Sequence, residues 1–191
     1  MKITIKLSIM KKQSVFLLVT LLSFILFSAG SCEKDEEPQL PPITQTGAGT
    51  FGCLVNGEIW VAKNRPFGSP IGASNNQWED KRWVINGAAE NSGISIHICR
   101  DSVLKGESTL KGSFEFDENC SNGMIYLEDY TPQTASFQTS YEDVGKIYIS
   151  RFDTVDRIIS GTYYFDAVNS SGEKIEIRDG RFDVKFINYE P

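Results

Sequence analysis

Apolar and polar residues alternate along the chain from about Thr50 onward. In the longest alternating stretch, residues 158–167, Tyr163 and Phe165 share one face, and Thr162 and Tyr164 share the other. A period of two residues is typical of a β-strand with one buried and one solvated face. No segment of the sequence keeps apolar residues at helical spacing over three turns, so the pattern predicts an all-β protein.

Turn signals divide the alternating stretches into strands. Asn56-Gly57 lies between two apolar segments and predicts a type I′ hairpin, because both residues tolerate a positive φ. Ser171-Gly172 and Asp179-Gly180 predict two further reversals of the chain. The expected strands are residues 51–55, 58–61, 82–86, 93–100, 113–116, 124–128, 135–139, 146–153, 158–167, 174–178 and 181–187. About ten strands at this spacing predict a single antiparallel β-sandwich or barrel-like domain over residues 50–191.

Residues 1–31 have the composition of a signal peptide. Four lysines accompany an uncharged apolar run over residues 14–27, which is shorter than the roughly 20 residues that a membrane-spanning helix needs. Ala29-Gly30-Ser31 then precedes Cys32, a pattern that bacterial lipoprotein-processing enzymes read. We therefore expect cleavage before Cys32 and lipidation of its thiol, with Met10 as an alternative start of translation.

A charged, proline-containing segment follows Cys32. Residues 33–37 read Glu-Lys-Asp-Glu-Glu and resemble the acidic export signal of surface lipoproteins, and prolines stiffen the residues after them. Residues 32–49 are thus expected to be a lipidated linker. This predicts an outer-membrane lipoprotein exposed at the cell surface, or one that faces the periplasm if residues 33–37 are only a solvated charge run.

Net charge narrows the range of partners. The whole chain carries −6, and removal of residues 1–31 takes away four lysines and no acid, which leaves −10. Binding of nucleic acid needs a basic patch, whereas the remaining Lys and Arg residues are scattered among acids. We expect no nucleic-acid partner. The expected contacts are the membrane, through the lipid, and an extracellular glycan or protein.

Three segments of the chain carry a family resemblance. They read Thr-Phe-Gly-Cys-Leu-Val-Asn-Gly at 50–57, Ile-Ser-Gly-Thr-Tyr-Tyr-Phe at 159–165 and Asp-Gly-Arg-Phe-Asp-Val at 179–184. In these segments the chain resembles a family of uncharacterised lipoproteins of Bacteroidota with one β-rich domain. The resemblance implies a surface or periplasmic lipoprotein. It implies no assigned activity, so no catalytic residue follows from it.

Three cysteines remain when Cys32 carries the lipid. An oxidising compartment favours one disulfide and one free thiol among them. We expect Cys53 to pair with Cys120, a bridge that would tie the first strand to the middle of the domain and stabilise it by roughly 4 kcal/mol. Cys99 could replace either partner.

The sequence lacks the usual motifs of catalysis. It contains no Gly-x-Ser-x-Gly elbow, no His-Glu-x-x-His helix and no phosphate-binding glycine loop, and its only histidine is His97. Its cysteines lack zinc-knuckle spacing, and residues 117–119 lack the alternation of an EF-hand loop. We expect no catalytic residue, metal or cofactor. A glycan hydrolase that uses two carboxylates stays open as an alternative, with these acids as its candidates: Glu115, Asp117, Asp166, Glu176 and Asp183.

Trp60, Trp78 and Trp83 are the candidate binding residues. The segment 66–77 between them is rich in Gly, Ser, Asn and Pro, and indoles beside such a loop could stack on sugar rings or hold an apolar peptide. The alternative is that they fill the core. The sequence favours a lipid-anchored, non-enzymatic module that binds a glycan, a peptide or a partner protein. A structural or assembly accessory lipoprotein and a carboxylate-dependent hydrolase are the alternatives.

Overall fold

A computed structural model describes residues 39–63, 71–76, 82–99, 103, 106–112, 121–127 and 135–187. Eleven strands lie in these segments. Within the same described residues, no helix is long and apolar enough to cross a membrane. The strands are β1 (Thr50–Val55), β2 (Glu58–Val61), β3 (Gly72–Asn76), β4 (Arg82–Ala89), β5 (Ser92–Cys99), β6 (Glu107–Leu110), β7 (Asn122–Leu127), β8 (Ser136–Gln138), β9 (Gly145–Asp153), β10 (Ile158–Val168) and β11 (Lys174–Ile187). The prediction of an all-β domain is confirmed.

The strands form two layers. In the first layer, here called the front sheet, the order is β2-β1-β11-β10-β9-β6, and every neighbouring pair is antiparallel. In the second layer, the back sheet, the order is β3-β4-β5-β7-β8, again antiparallel. Asn56 and Gly57 both have positive φ in the β1–β2 turn, as a type I′ hairpin requires.

Two short pairings join the layers at their edges. Phe186 and Ile187 at the end of β11 pair with β3, and Val168 at the end of β10 pairs with Gln138 of β8. Seven strands thereby close into a ring, so the domain is a barrel-like sandwich. The β3–β11 pairing is parallel, which makes the sheet mixed where the sequence predicts a wholly antiparallel arrangement.

Asp179-Gly180 does not reverse the chain, and the hairpin predicted there is wrong. β11 continues through it because β1 and β10 hold the strand from both sides. The left-handed φ of 49° at Asp179 is accommodated as a bulge, since Gly180 lies opposite Tyr163 while Ile177 lies opposite Phe165. The bulge bends β11, which allows one strand to serve the front sheet and still reach β3.

Large side chains fill the space between the layers. Phe51 of β1 crosses to β4, where a Cβ on Gly87 would lie 2.5 Å from its ring, and Phe165 of β10 packs in the same way against Gly123 of β7. Trp83 contacts Phe186 edge-on at a centroid distance of 4.8 Å. The core is therefore shared by both layers, and its glycines mark the points of closest approach.

The residues before β1 are folded against the front sheet. We call residues 41–49 the strap: Pro41 lies against Gly52, and Gly49 N–H donates to the Asp183 carbonyl. The unit that contains the β domain accordingly begins at Pro38. Hydrogen bonds thus hold the last part of the expected linker, residues 44–49, onto the domain.

Candidate functional site

The outer surface of the front sheet carries the most distinctive group of exposed side chains. Tyr148 of β9 lies between Glu107 of β6 and Thr162 of β10, and in the next row Lys146 of β9 lies opposite Tyr164 of β10. Their neighbours along the strands, such as Ile147 and Tyr163, point inward and are buried. We call Glu107, Lys146, Tyr148, Thr162 and Tyr164 the tyrosine face.

The two tyrosines are exposed neighbours on adjacent strands. Tyr148 is 39% exposed and Tyr164 is 40% exposed. They are offset by one diagonal step of the β9–β10 register, which places their Cβ atoms about 7–8 Å apart. Both rings can therefore contact one ligand that lies along the face.

Lys146 lies next to both tyrosines and interacts electrostatically with each of them. Its Nζ lies 2.7 Å from Glu107 Oε1, and this ion pair, followed by the nearby phenols of Tyr148 and Tyr164, raises the pKa of the lysine above its usual value. Lysine and glutamate are both solvated, so their pairing contributes little to stability. Its effect is to place a donor and an acceptor beside the two aromatic rings.

Charged residues of opposite sign flank the tyrosine face. Arg178 of β11 forms an ion pair with Asp166 and lies 3.6 Å from Glu176, and Arg181 lies opposite Thr162. Together with Lys146 and Glu107, these residues supply three cations and three carboxylates. The surface around the tyrosines is therefore polar and carries charges of both signs.

The strap covers the adjacent row of the same sheet surface. Ser160 lies two residues before Thr162 and points to the same side, opposite Arg151 and Asp183 on the neighbouring strands. Arg151 donates from Nη1 to the Gln45 carbonyl, and both Ser160 and Asp183 are fully buried. The strap thus forms one border of the tyrosine face, about 7 Å from its first row.

Asp183 holds the strap in place. Its carboxylate accepts hydrogen bonds from the hydroxyls of Thr44, Thr46 and Ser160, and from the backbone N–H groups of Thr46, Gly47 and Ala48, at 2.6–3.2 Å. Burial raises the pKa of this carboxyl, but the hydrogen bonds outweigh burial and hold the pKa well below its usual range. Consecutive backbone N–H groups of this kind form an anion-binding concavity, which the protein's own carboxylate occupies.

The predicted tryptophan site is only partly supported. Trp83 is 5% exposed and packs edge-on against Phe152 and Phe186, so the prediction that it contacts a ligand is wrong. Trp60 is half-buried against Phe51, and its Nε1 donates to Ser92 Oγ at 2.8 Å. Trp78 lies outside the described residues. Trp83 is internal because it sits on the inward face of β4, where it fills the junction of the two layers.

The predicted Cys53–Cys120 pairing is also wrong. Cys53 is a free, fully buried thiol on the inward face of β1, beside the phenol of Tyr163. Burial raises the pKa of its thiol to about 12, and Tyr163 offsets part of that rise. Cys32 and Cys120 lie outside the described residues. Cys99 does not carry a free thiol.

Among the other described candidates for chemistry, Asp166 and Glu176 lie opposite each other on β10 and β11, and Arg178 lies beside both carboxylates. His97 is buried, and burial followed by the charge of Arg82 lowers its pKa to about 4. Asp183 is enclosed by the strap and Asp166 is paired with Arg178, while Glu115 and Asp117 lie outside the described residues. Within the described segments, no three His, Cys, Asp or Glu side chains are placed to hold a metal ion.

No sequence motif indicates the tyrosine face. The alternation in β10 already places Tyr164 on the polar side, and Tyr148 alternates with Ile147 and Ile149 in β9. An aromatic residue on the polar side of a strand is the signal that could have indicated the face. That the two tyrosines meet depends on the β9–β10 register, which the sequence does not show.

Comparison with known proteins gives one match. The model of a family described as a domain of unknown function, DUF6252, matches residues 49–184. No curated protein and no solved structure matches the chain.

Proposed function

We propose that this chain, which belongs to the DUF6252 family, is a lipid-anchored, non-enzymatic module that binds an extracellular partner through the tyrosine face. The observation that carries the proposal is the pair of exposed tyrosines, Tyr148 and Tyr164, on one sheet surface. Tyrosine has a rigid amphipathic ring and loses little conformational entropy on binding, which is why it is frequent in recognition surfaces.

The tyrosine face rests on a well-packed support. Ile147, Tyr163 and Phe165 are fully or almost fully buried directly beneath it, and β9 and β10 pair over eight positions. Side chains on such a sheet are held in place before a ligand arrives, which lowers the entropic cost of binding. This arrangement favours a preformed binding surface.

Location at the cell surface is inferred from the N-terminal sequence. The lysines, the apolar run and the small residues before Cys32 support a lipidated N-terminus, and residues 33–37 support export to the outer leaflet. Lipidation of Cys32 would keep the tyrosine face at the envelope, where extracellular polymers and proteins are present.

A binding role is favoured over a catalytic one by the state of the carboxylates. Glycoside hydrolysis needs two acids on opposite sides of one bond, one of them with a raised pKa. Asp183 instead has a lowered pKa and is shielded by the strap, and Asp166 faces Arg178. Asp183 and Asp166 are therefore engaged in contacts within the domain, which supports a binding role.

The anchor is tested by palmitate labelling in the native host, with external protease applied to intact cells. We expect label on the wild type, loss of label in Cys32→Ala, and removal of the wild-type domain by the protease. Label that persists in Cys32→Ala would contradict lipidation of Cys32. Protection of the labelled protein in cells shown to be intact would contradict surface exposure.

Binding is tested with the full lipoprotein in detergent micelles on arrays of extracellular glycans and of peptides. The variant is Tyr148→Ala/Tyr164→Ala, and the matched control is Tyr126→Ala, because Tyr126 is 45% exposed but lies on the back sheet. We expect signal on one array that the double variant loses and the control keeps. Absence of any signal that depends on Tyr148 and Tyr164 would overturn the proposed function.

A further inference from the structure

We infer that the ligand of the tyrosine face is an extended, uncharged glycan chain; this inference rests on the proposed function and specifies its ligand. Two tyrosine rings with a donor and an acceptor beside them match a polymer of pyranose rings. Each sugar has an apolar face that can stack on an aromatic ring and a rim of hydroxyls that can bond to Lys146, Glu107 and Thr162.

The charge distribution argues against an acidic ligand. Lys146 and Arg178 are each paired with a carboxylate, and the chain as a whole carries −6. An acidic polymer would be repelled by the whole molecule and would find no unbalanced basic patch to bind. Hydroxyl groups, in contrast, can accept from Lys146 and Arg181 and donate to Glu107 without a net charge of their own.

The hydrogen-bonding pattern argues against a peptide. A peptide that adds to a sheet needs a free strand edge, and an amphipathic helix needs an apolar groove. Both edges of β9 are occupied, by β6 and β10, and both edges of β10 are occupied, by β9 and β11. On β9 and β10 only side chains are available to a ligand, and those on the tyrosine face are polar or aromatic.

The shape of the surface argues for a long ligand. The two tyrosines lie on a sheet surface, with the strap as a border on one side and the Asp166–Arg178 pair on the other. A single sugar would contact one ring, whereas a chain of several sugars can contact both rings and the polar groups beside them. Affinity is therefore expected to rise with chain length until the face is spanned.

The test is affinity electrophoresis of the full lipoprotein in native detergent gels that contain hydroxyethyl cellulose, galactomannan or polygalacturonate. We expect retardation by a neutral polymer and none by polygalacturonate. Tyr148→Ala and Tyr164→Ala should each weaken binding at least tenfold, Tyr148→Phe should stay within about threefold of the wild type, and Tyr126→Ala should be unchanged. Tyrosine to phenylalanine keeps the ring and removes only the hydroxyl, so it separates stacking from hydrogen bonding.

Three results would overturn the inference. The first is tyrosine-dependent retardation by polygalacturonate that exceeds that by both neutral polymers. The second is tyrosine-dependent binding confined to the peptide array, which would keep the proposed binding function and reject a glycan ligand. The third is a neutral polymer that retards the wild type and the double variant equally. Absence of tyrosine-dependent binding on every array and gel would remove the proposed function as well.

Discussion

Ser160 and Asp183 lie opposite each other in the β10–β11 register, and the Ser160 hydroxyl donates a hydrogen bond of 2.6 Å to Asp183 Oδ1. Both residues point to the outer side of the front sheet, yet both are fully buried, because the strap covers them. The next outward residue on β10 is Thr162, which belongs to the tyrosine face. The outer surface of the front sheet thus has one part that the strap covers and one part, the tyrosine face, that is exposed.

Replacement of Asp183 should release the strap. Asp183→Ala leaves the strap's hydroxyl and N–H donors without an acceptor, and we expect a loss of about 3 kcal/mol in the free energy of unfolding. Urea denaturation measures this loss, and limited proteolysis near residue 45 reports release of the strap. The exposed Asp156→Asn serves as the control. Unchanged stability of Asp183→Ala would show that the hydrogen bonds between Asp183 and the strap do not stabilise the domain.

Stability should fall as the pH drops from about 6.5 towards 4. His97 has a folded pKa of about 4, below its ordinary value of 6.5, so the unfolded chain binds a proton in this range and the folded chain does not. The contribution of neutral His97 to the free energy of unfolding is fully present above pH 6.5. Its loss at lower pH amounts to at most about 3 kcal/mol. Urea unfolding at pH 7.0, 5.5 and 4.5 measures the slope.

The matched variant for this slope is His97→Gln, which cannot titrate. We expect its stability to vary less with pH over the same range, whatever its stability at pH 7. The lowered pKa values of Asp143, Asp153 and Asp183 act only below about pH 4 and therefore do not contribute here. Equal slopes for the variant and the wild type would show that another group titrates.

The cysteines should separate into one pair and one unreactive thiol. Ser121 directly follows Cys120 in the sequence, and its Oγ donates to the Cys99 sulfur at 3.5 Å. We expect a Cys99–Cys120 disulfide in oxidised protein. Cys53, with a pKa of about 12 and no exposure, should react with iodoacetamide only after unfolding. Peptide mapping without reductant checks both, and alkylation of Cys53 in the folded protein would contradict the placement.

A side chain at Gly87 should disturb the core. A Cβ there would lie 2.5 Å from the ring of Phe51, and overpacking of this kind costs about 1–3 kcal/mol. Gly93 in the neighbouring strand is the control, because the nearest atom to its Cβ would be 3.7 Å away. We expect Gly87→Ala to lower the urea midpoint and Gly93→Ala to leave it nearly unchanged. Similar midpoints for the two variants would place Phe51 elsewhere.

Local signals in the sequence predict those parts of the fold that local chemistry determines. Asn56-Gly57 forms the expected hairpin because its backbone preference and its neighbours agree. β3 escapes prediction because Gly72 and its Ser and Asn neighbours are poor strand formers, and β4 and β11 impose the strand through pairing. The hairpin prediction at Asp179-Gly180 fails for the same reason, since long-range pairing with β1 and β10 converts a turn signal into a bulge.

The candidate site is predictable only in part. The polar position of Tyr164 can be deduced from the alternation of β10, whereas the proximity of Tyr148 and the cover provided by the strap depend on contacts more than 100 residues apart in sequence, such as that between Thr46 and Asp183. The aromatic residues that sequence reasoning favours include Trp83, which the junction of the two layers draws inward.

The strap also sets how far the domain can act from the envelope. Because the folded unit begins at Pro38 and Gln39 is already described, only seven residue steps separate Cys32 from Gln39. A fully extended chain of that length spans about 25 Å. With Cys32 lipidated, as proposed, Gln39 would lie no farther than this from the bilayer surface, and the domain would meet its ligand close to the membrane.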